Sequence, residues 1–161
     1  MKKYFSCTLV IGLFLLLPGC SPGTKNTGTN EALVQAIAGD KWVFTADQAD
    51  PQYGRSRSLE AGYEVRFTGE KLLAYLPYFG RAYSGAGAYN NRNPLDFTSR
   101  VFELSKEKDK KGRWLVTLRT KDTDEVSLLR FTFFGNGSAS LDVELSSRSP
   151  ISFRGHVQAL Q

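Results

Sequence analysis

The feature that most constrains the fold is a series of short segments in which apolar and polar residues alternate. Trp42 and Phe44 share one side of the first segment, and Tyr63, Val65 and Phe67 share one side of the next. An alternation with a period of two puts the apolar residues on one face of a β-strand. Similar segments follow at residues 72–76, 97–105, 114–119, 129–133, 141–145 and 151–157. About eight short strands at this spacing predict a mainly β, antiparallel domain.

The connections between these segments favour a barrel. Short turns such as Gly69-Glu70 and Gly135-Asn136-Gly137 join consecutive strands, and the last strands form a meander without a long crossover. We therefore expect an up-and-down barrel, or a coiled sheet of lipocalin-like shape. A two-sheet β-sandwich stays open as the alternative, because it has the same alternation along each strand.

One short helix is expected before the strands. Leu33 and Ile37 lie four residues apart within residues 31–38, where they share one side of a helix. Asn30 is a suitable N-cap, and Gly39 is a suitable end. We expect this N-terminal helix to cover one end or edge of the sheet.

The first twenty residues have the pattern of a lipoprotein export signal. Lys2 and Lys3 precede an apolar run, and Leu17-Pro18-Gly19-Cys20 follows. A small residue directly before a cysteine is typical of lipoprotein signal peptide cleavage. The apolar run of about 14 residues is shorter than the roughly 18 that a membrane-spanning helix needs. The pattern predicts that Cys20 becomes the acylated first residue of the mature chain.

These features predict the cellular location and the domain organisation. Acyl chains on Cys20, palmitate among them, would hold the chain to a membrane, since each buried methylene contributes about 0.8 kcal/mol. Ser21 stands where an aspartate would indicate inner-membrane retention, so we expect the outer membrane, with the domain facing the periplasm. The predicted organisation is a signal peptide at 1–19, the lipidated cysteine with a flexible tether at 20–30, and a single β domain at 31–161.

Composition argues against several classes of function. Without Lys2 and Lys3 the net charge falls from +5 to +3, and acidic neighbours accompany most basic residues, so we expect no nucleic-acid partner. His156 is the single histidine, and no thiol remains outside the signal peptide once Cys20 is acylated. We therefore expect no metal site, no cofactor and no enzymatic activity.

Residues 75–93 are the candidate functional stretch, because aromatic residues, glycines and arginines are concentrated there. Rigid aromatic faces beside arginines suit the recognition of a protein, a peptide or a glycan. The same residues can instead end a strand and fill a corner of the fold. The predicted binding surface consists of Tyr78, Phe79, Arg81, Tyr83 and Tyr89, together with Arg55 and Arg57 of a neighbouring loop.

Four stretches resemble a known family. They are Trp42-Val43-Phe44-Thr45-Ala46-Asp47, Gly54-Arg55-Ser56, Tyr75-Leu76-Pro77-Tyr78-Phe79-Gly80-Arg81-Ala82-Tyr83 and Pro150-Ile151-Ser152-Phe153. Together they look like the Domain of Unknown Function 4251 family of Bacteroidetes lipoproteins. The resemblance implies a lipid-anchored envelope protein and assigns no activity, ligand or catalytic residue.

Two functional hypotheses follow. The first is a lipid-anchored envelope protein that acts as a non-enzymatic binding or assembly module. The alternative is a small-ligand carrier, in which a barrel interior holds an apolar or sugar-like molecule and residues 75–93 act as a lid.

Overall fold

The computed structural model describes residues 31–83 and 92–160, which contain one helix and ten strands. The helix α1 spans Glu31–Ala38. The strands are β1 (Trp42–Pro51), β2 (Arg57–Ser58), β3 (Glu64–Phe67), β4 (Leu72–Tyr75), β5 (Asp96–Ser99), β6 (Phe102–Lys108), β7 (Trp114–Thr120), β8 (Val126–Phe133), β9 (Ser138–Leu145) and β10 (Ile151–Ala159).

All ten strands belong to one antiparallel sheet that curls into a nearly closed barrel. The spatial order is β5, β4, β3, β1, β10, β9, β8, β7, β6, and β2 pairs with the far end of β1. The first long strand therefore lies beside the last one, with Trp42 opposite Ala159. The predicted barrel is confirmed in preference to the sandwich, because one continuous sheet contains every strand in the described residues.

A bend that alternation alone did not reveal joins β5 and β6, the two edge strands of the nearly closed barrel. Residues 97–105 were expected to form one strand, but the chain turns at Arg100 and Val101, so β5 pairs with β4 while β6 pairs with β7. The carboxylate of Asp122 accepts hydrogen bonds from both backbone N–H groups of this bend and from the Ser99 hydroxyl. Asp122 therefore braces the corner.

Strand β1 extends well beyond the alternating residues Trp42 and Phe44, since it continues to Pro51. The pairing with β10 shifts register between Ala46 and Gln48, so Asp47 is the extra residue of a β-bulge. Gly155 faces this bulge, and a Cβ there would overlap the carbonyl oxygen of Thr45. The glycine permits the close approach of the two backbones.

The inward faces of the strands form one aromatic-rich core. Trp42 is fully buried, and its ring contacts the rings of Phe67, Phe131 and Phe133 at centroid distances of 4.9–5.3 Å. Phe44 and Phe153 are also fully buried. Each such side chain contributes about 1.5–3 kcal/mol through burial, so the interior is the main source of stability in a domain predicted to lack disulfides.

Helix α1 covers one end of the barrel, as expected. Leu33 and Ile37 are buried against the core. The helix ends at Ala38, directly before Gly39 as expected, and the left-handed conformation that follows falls on Asp40 (φ 59°). No helix in the described ranges is both long enough and apolar enough to cross a membrane.

Candidate functional site

The candidate surface begins where β4 ends. Pro77 lacks a backbone N–H and cannot continue the ladder, so the chain leaves the sheet after Leu76. The Leu76 N–H still donates to the Leu95 carbonyl, and the Asn93 side chain donates to the Leu76 carbonyl at 2.6 Å. These two bonds hold Leu76, near the start of the stretch 75–93, beside Asn93 at its end and Leu95 just beyond it.

A tyrosine and a serine fasten this segment to the β9–β10 turn. The Tyr78 hydroxyl donates to the carbonyl of Ser149 at 2.8 Å. The Arg81 N–H donates to the Ser149 hydroxyl at 3.0 Å, and the Ser149 N–H donates to the Arg81 carbonyl at 2.9 Å. Ser149 is fully buried, and burial raises the pKa of Tyr78 above its ordinary value. The phenol therefore stays protonated and serves as a structural donor.

Gly80 makes this close packing possible. A Cβ at Gly80 would overlap the Tyr78 hydroxyl and lie 2.5 Å from the Ser149 hydroxyl. The glycine between Phe79 and Arg81 is therefore required by space, and it lets the chain reverse tightly around the buried serine.

We call the packed contacts of Tyr78, Gly80 and Arg81 with Ser149 the frame. Two arginines stack on aromatic rings beside this frame. The guanidinium carbon of Arg57 lies 4.5 Å from the ring centroid of Phe79, and that of Arg81 lies 5.4 Å from the ring of Tyr53. Both distances fall within the range of cation–π attraction, worth about 0.5–1 kcal/mol at exposed sites. Tyr53 and Tyr83 are 48% and 60% exposed, respectively.

We refer to these neighbouring side chains as the aromatic–arginine surface. The β1–β2 loop, the first residue of β2 and the segment after β4 supply them; Arg57, which was expected in the loop, begins β2 and pairs with Ala49 of β1. The stacked pairs join these segments. The surface consists of Tyr53, Arg55, Arg57, Phe79, Arg81 and Tyr83.

The structure divides the predicted binding residues into separate roles. Phe79, Arg57 and Arg81 take part in the stacks, whereas Arg55 and Tyr83 are exposed beside them. The sequence had assigned Tyr78 to the binding surface, yet its hydroxyl points to Ser149 and belongs to the frame. Tyr89 lies outside the described residues, as does Cys20.

Sequence reasoning missed Tyr53, Glu125 and Arg148. Tyr53 shares a loop with Arg55, which was the available signal. The Arg148 side chain is only 10% exposed, stacks on Tyr78 at 5.5 Å and pairs with Glu125 at 2.7 Å. This ion pair ties the β7–β8 turn to the β9–β10 turn behind the surface. Because Glu125 and Arg148 are 23 positions apart, no local pattern in the sequence indicated that they would pair.

The chemical groups suited to catalysis lie elsewhere. His156 is on the outer face of β10, with its Nδ1 3.2 Å from the Asp47 carboxylate, and both side chains are exposed. Within residues 31–83 and 92–160, no three histidine, cysteine or acidic side chains come together in an arrangement that could hold a metal ion.

These features define a class of protein: a small antiparallel β-barrel that carries a braced surface of stacked arginine and aromatic side chains. The chain belongs to the DUF4251 family, described as a domain of unknown function, whose model matches residues 24–157. The predicted family is confirmed.

A solved structure supports the same fold. The chain is similar to a crystal structure of a DUF4251 family protein from Bacteroides eggerthii, with a TM-score of 0.57 and 14% sequence identity. The match covers 81% of this chain and 87% of the other. No curated protein matches the chain.

Proposed function

We propose that this protein is a lipid-anchored envelope protein that uses the aromatic–arginine surface as a non-enzymatic binding or assembly module. The observation that carries the proposal is the pair of arginine–aromatic stacks, Arg57 on Phe79 and Arg81 on Tyr53, which stays open to solvent on a braced frame. Side chains already held in place lose little entropy on binding.

The chemistry of the surface suits a protein, peptide or glycan partner. Tyrosine rings offer flat apolar faces with a polar edge, and guanidinium groups bind carboxylates through two hydrogen bonds. Arginine and tyrosine are also enriched among the residues that dominate binding energy at protein interfaces. The exposed Tyr83 and Arg55 extend this chemistry beyond the stacked pairs.

The filled barrel interior favours this proposal over the carrier. Trp42, Phe44, Phe67, Phe131 and Phe153 occupy the space that a ligand would need, and each is at most 1% exposed. A carrier of lipocalin-like shape keeps a cavity in the barrel for its ligand. A partner is therefore expected on the outside of the barrel.

Site-specific photo-crosslinking in intact cells tests the proposed surface. A benzophenone amino acid replaces Tyr83 in one variant and Val101 in a control variant; these two residues are 60% and 57% exposed. We expect a discrete crosslinked species from the Tyr83 position alone. Equal products from both positions, or none from Tyr83, would argue against this surface.

The lipid anchor has a separate test. Labelled palmitate supplied to growing cells is expected to enter the wild-type chain and not a Cys20→Ser variant, because the acyl chains depend on that cysteine. Separation of the two membranes then determines whether the wild-type chain resides in the outer one. Label retained by Cys20→Ser would exclude lipidation at this residue.

A further inference from the structure

The end of the barrel that carries α1 is rich in lysine, whereas the opposite end carries the aromatic–arginine surface. Six of the seven lysines in the described residues lie on or beside α1 and on the turns at this end. They are Lys41, Lys71, Lys106, Lys108, Lys110 and Lys111. The stacked cations at the opposite end are all arginines.

Contacts place these lysines at one end despite their distance in sequence. The Lys106 Nζ donates to the carbonyls of Ile37 and Ala38 at the end of α1 and pairs with Asp40 at 2.8 Å. The Lys41 carbonyl accepts a hydrogen bond from Leu160, and Lys108 lines a small cleft against α1. Lys106 therefore binds the end of the helix, whereas Lys41, Lys108, Lys110 and Lys111 are exposed to solvent.

The β6–β7 turn carries the densest positive charge. Residues 108–113 contain four cations and one carboxylate, hence a net charge of +3. That carboxylate, Asp109, accepts hydrogen bonds from the Arg113 and Lys111 N–H groups and pairs with the Arg113 side chain. Lys110 and Lys111 are exposed, and within residues 31–83 and 92–160 neither side chain forms an ion pair with a carboxylate.

The proportion of lysine distinguishes the two ends chemically, with Arg66 and Arg113 also at the α1 end, where Arg113 stacks on Phe134 at 5.8 Å. Lysine is a compact, strongly hydrated point charge, whereas the planar guanidinium of arginine suits stacking and paired hydrogen bonds. Clustered lysines therefore suit diffuse attraction to a surface of many anionic groups, each contributing about 1 kcal/mol near an anionic membrane. The ends are separated by the length of β1, whose ten residues span about 30 Å, several times the screening length of about 8 Å at physiological salt.

We infer that the lysine-rich α1 end docks on an anionic phospholipid surface. The inference rests on the proposed lipid anchor for its orientation: the described domain begins at Glu31 on α1, and the ten preceding tether residues reach at most about 35 Å from Cys20. An open depression of about 300 Å³ at this end, lined by Lys71, Arg66 and Thr68 with two leucines, offers cations and a hydroxyl to a headgroup phosphate. In this orientation the aromatic–arginine surface faces away from the membrane.

Vesicle binding tests the inference. The chain from residue 20 with Cys20→Ser retains every core residue and lacks the acyl chains. Its affinity is measured in 50 mM salt for phosphatidylcholine vesicles with and without 30% phosphatidylglycerol. We expect binding only to the anionic vesicles and its loss in 0.5 M salt. Absence of binding to the anionic vesicles at 50 mM salt would overturn the inference.

A pair of charge-matched variants localises the contact. Lys110→Gln with Lys111→Gln should weaken vesicle binding about 25-fold, at about fivefold for each lysine. Arg55→Gln with Arg57→Gln removes the same charge from the opposite end and should leave vesicle binding unchanged. Equal weakening by both pairs would show that only net charge matters, which refutes docking through α1.

The vesicle-binding experiment and the crosslinking experiment have independent outcomes. Failure of the Tyr83 crosslink would remove the proposed binding surface while vesicle binding through the lysines persists. Failure of vesicle binding would leave the crosslink at Tyr83 unaffected.

Discussion

The substitution Tyr78→Phe tests whether Tyr78 supports the aromatic–arginine surface from below or belongs to its exposed binding residues. The substitution removes one hydroxyl, which donates to the carbonyl of the fully buried Ser149 at 2.8 Å. Leaving a buried acceptor unpaired costs about 1–3 kcal/mol. Tyr78 is only partly buried, so water can reach part of the site, and we expect a loss of about 1.5 kcal/mol in the free energy of unfolding.

Urea unfolding followed by tryptophan fluorescence measures this loss. We expect a lower midpoint with an unchanged dependence on urea, because the surface exposed on unfolding stays the same. Tyr83→Phe is the matched control: its ring is 60% exposed, and its change should stay within about 0.5 kcal/mol. A combined Tyr78→Phe and Ser149→Ala variant should lose less than the sum of the single losses, since the two hydroxyls lie 3.2 Å apart.

A small effect of Tyr78→Phe on stability would refute this role of the hydroxyl. If Tyr78→Phe costs less than about 0.5 kcal/mol, or no more than Tyr83→Phe, the hydrogen bond to Ser149 does not hold the segment. Tyr78 would then return to the set of residues available for binding.

Three further predictions concern the barrel. Gly155→Ala should destabilise the domain by about 2 kcal/mol or more in urea unfolding, because its Cβ would overlap the Thr45 carbonyl; a neutral change would contradict the tight bulge. Asp122→Asn should flatten the pH dependence of the free energy of unfolding below about pH 4. An acid-unfolding curve identical to that of the wild-type protein would contradict the bracing role of Asp122. The Arg100 N–H and the Ser99 hydroxyl hold the pKa of Asp122 below its ordinary value, so its ionised form contributes stability that is lost as pH falls through the folded-state pKa. Native mass spectrometry should give the mass of the chain alone, since side chains such as Trp42 fill the interior; a ligand released on unfolding would revive the carrier.

Much of the fold was predictable because it depends on local periodicity. Segments such as Trp42–Phe44 and Phe131–Phe133 alternate strictly, and both proved to be inward-facing strand positions. The count of about eight strands fell short of ten for two reasons. The two-residue β2 is too short for any alternation, and the bend at Arg100 divides an apparently continuous strand.

The candidate site was only partly predictable. Phe79 and Arg81 stood out by composition, but nothing in the sequence indicated which aromatic ring each arginine would meet. The contact between Tyr78 and Ser149 joins residues 71 positions apart, and the contact between Arg57 and Phe79 joins β2 to the segment after β4. Contacts of this kind depend on strand order, which alternation does not encode.

The sequence by itself determined the strand-rich architecture, the inward faces, the short N-terminal helix and the family, because each depends on neighbouring residues. Only the tertiary structure decided how the barrel closes, that Asp122 braces its corner, and that Tyr78 supports the surface on which Phe79 and Arg81 meet their partners. The physical reason is that these roles arise between distant turns, which the curling of one sheet brings together.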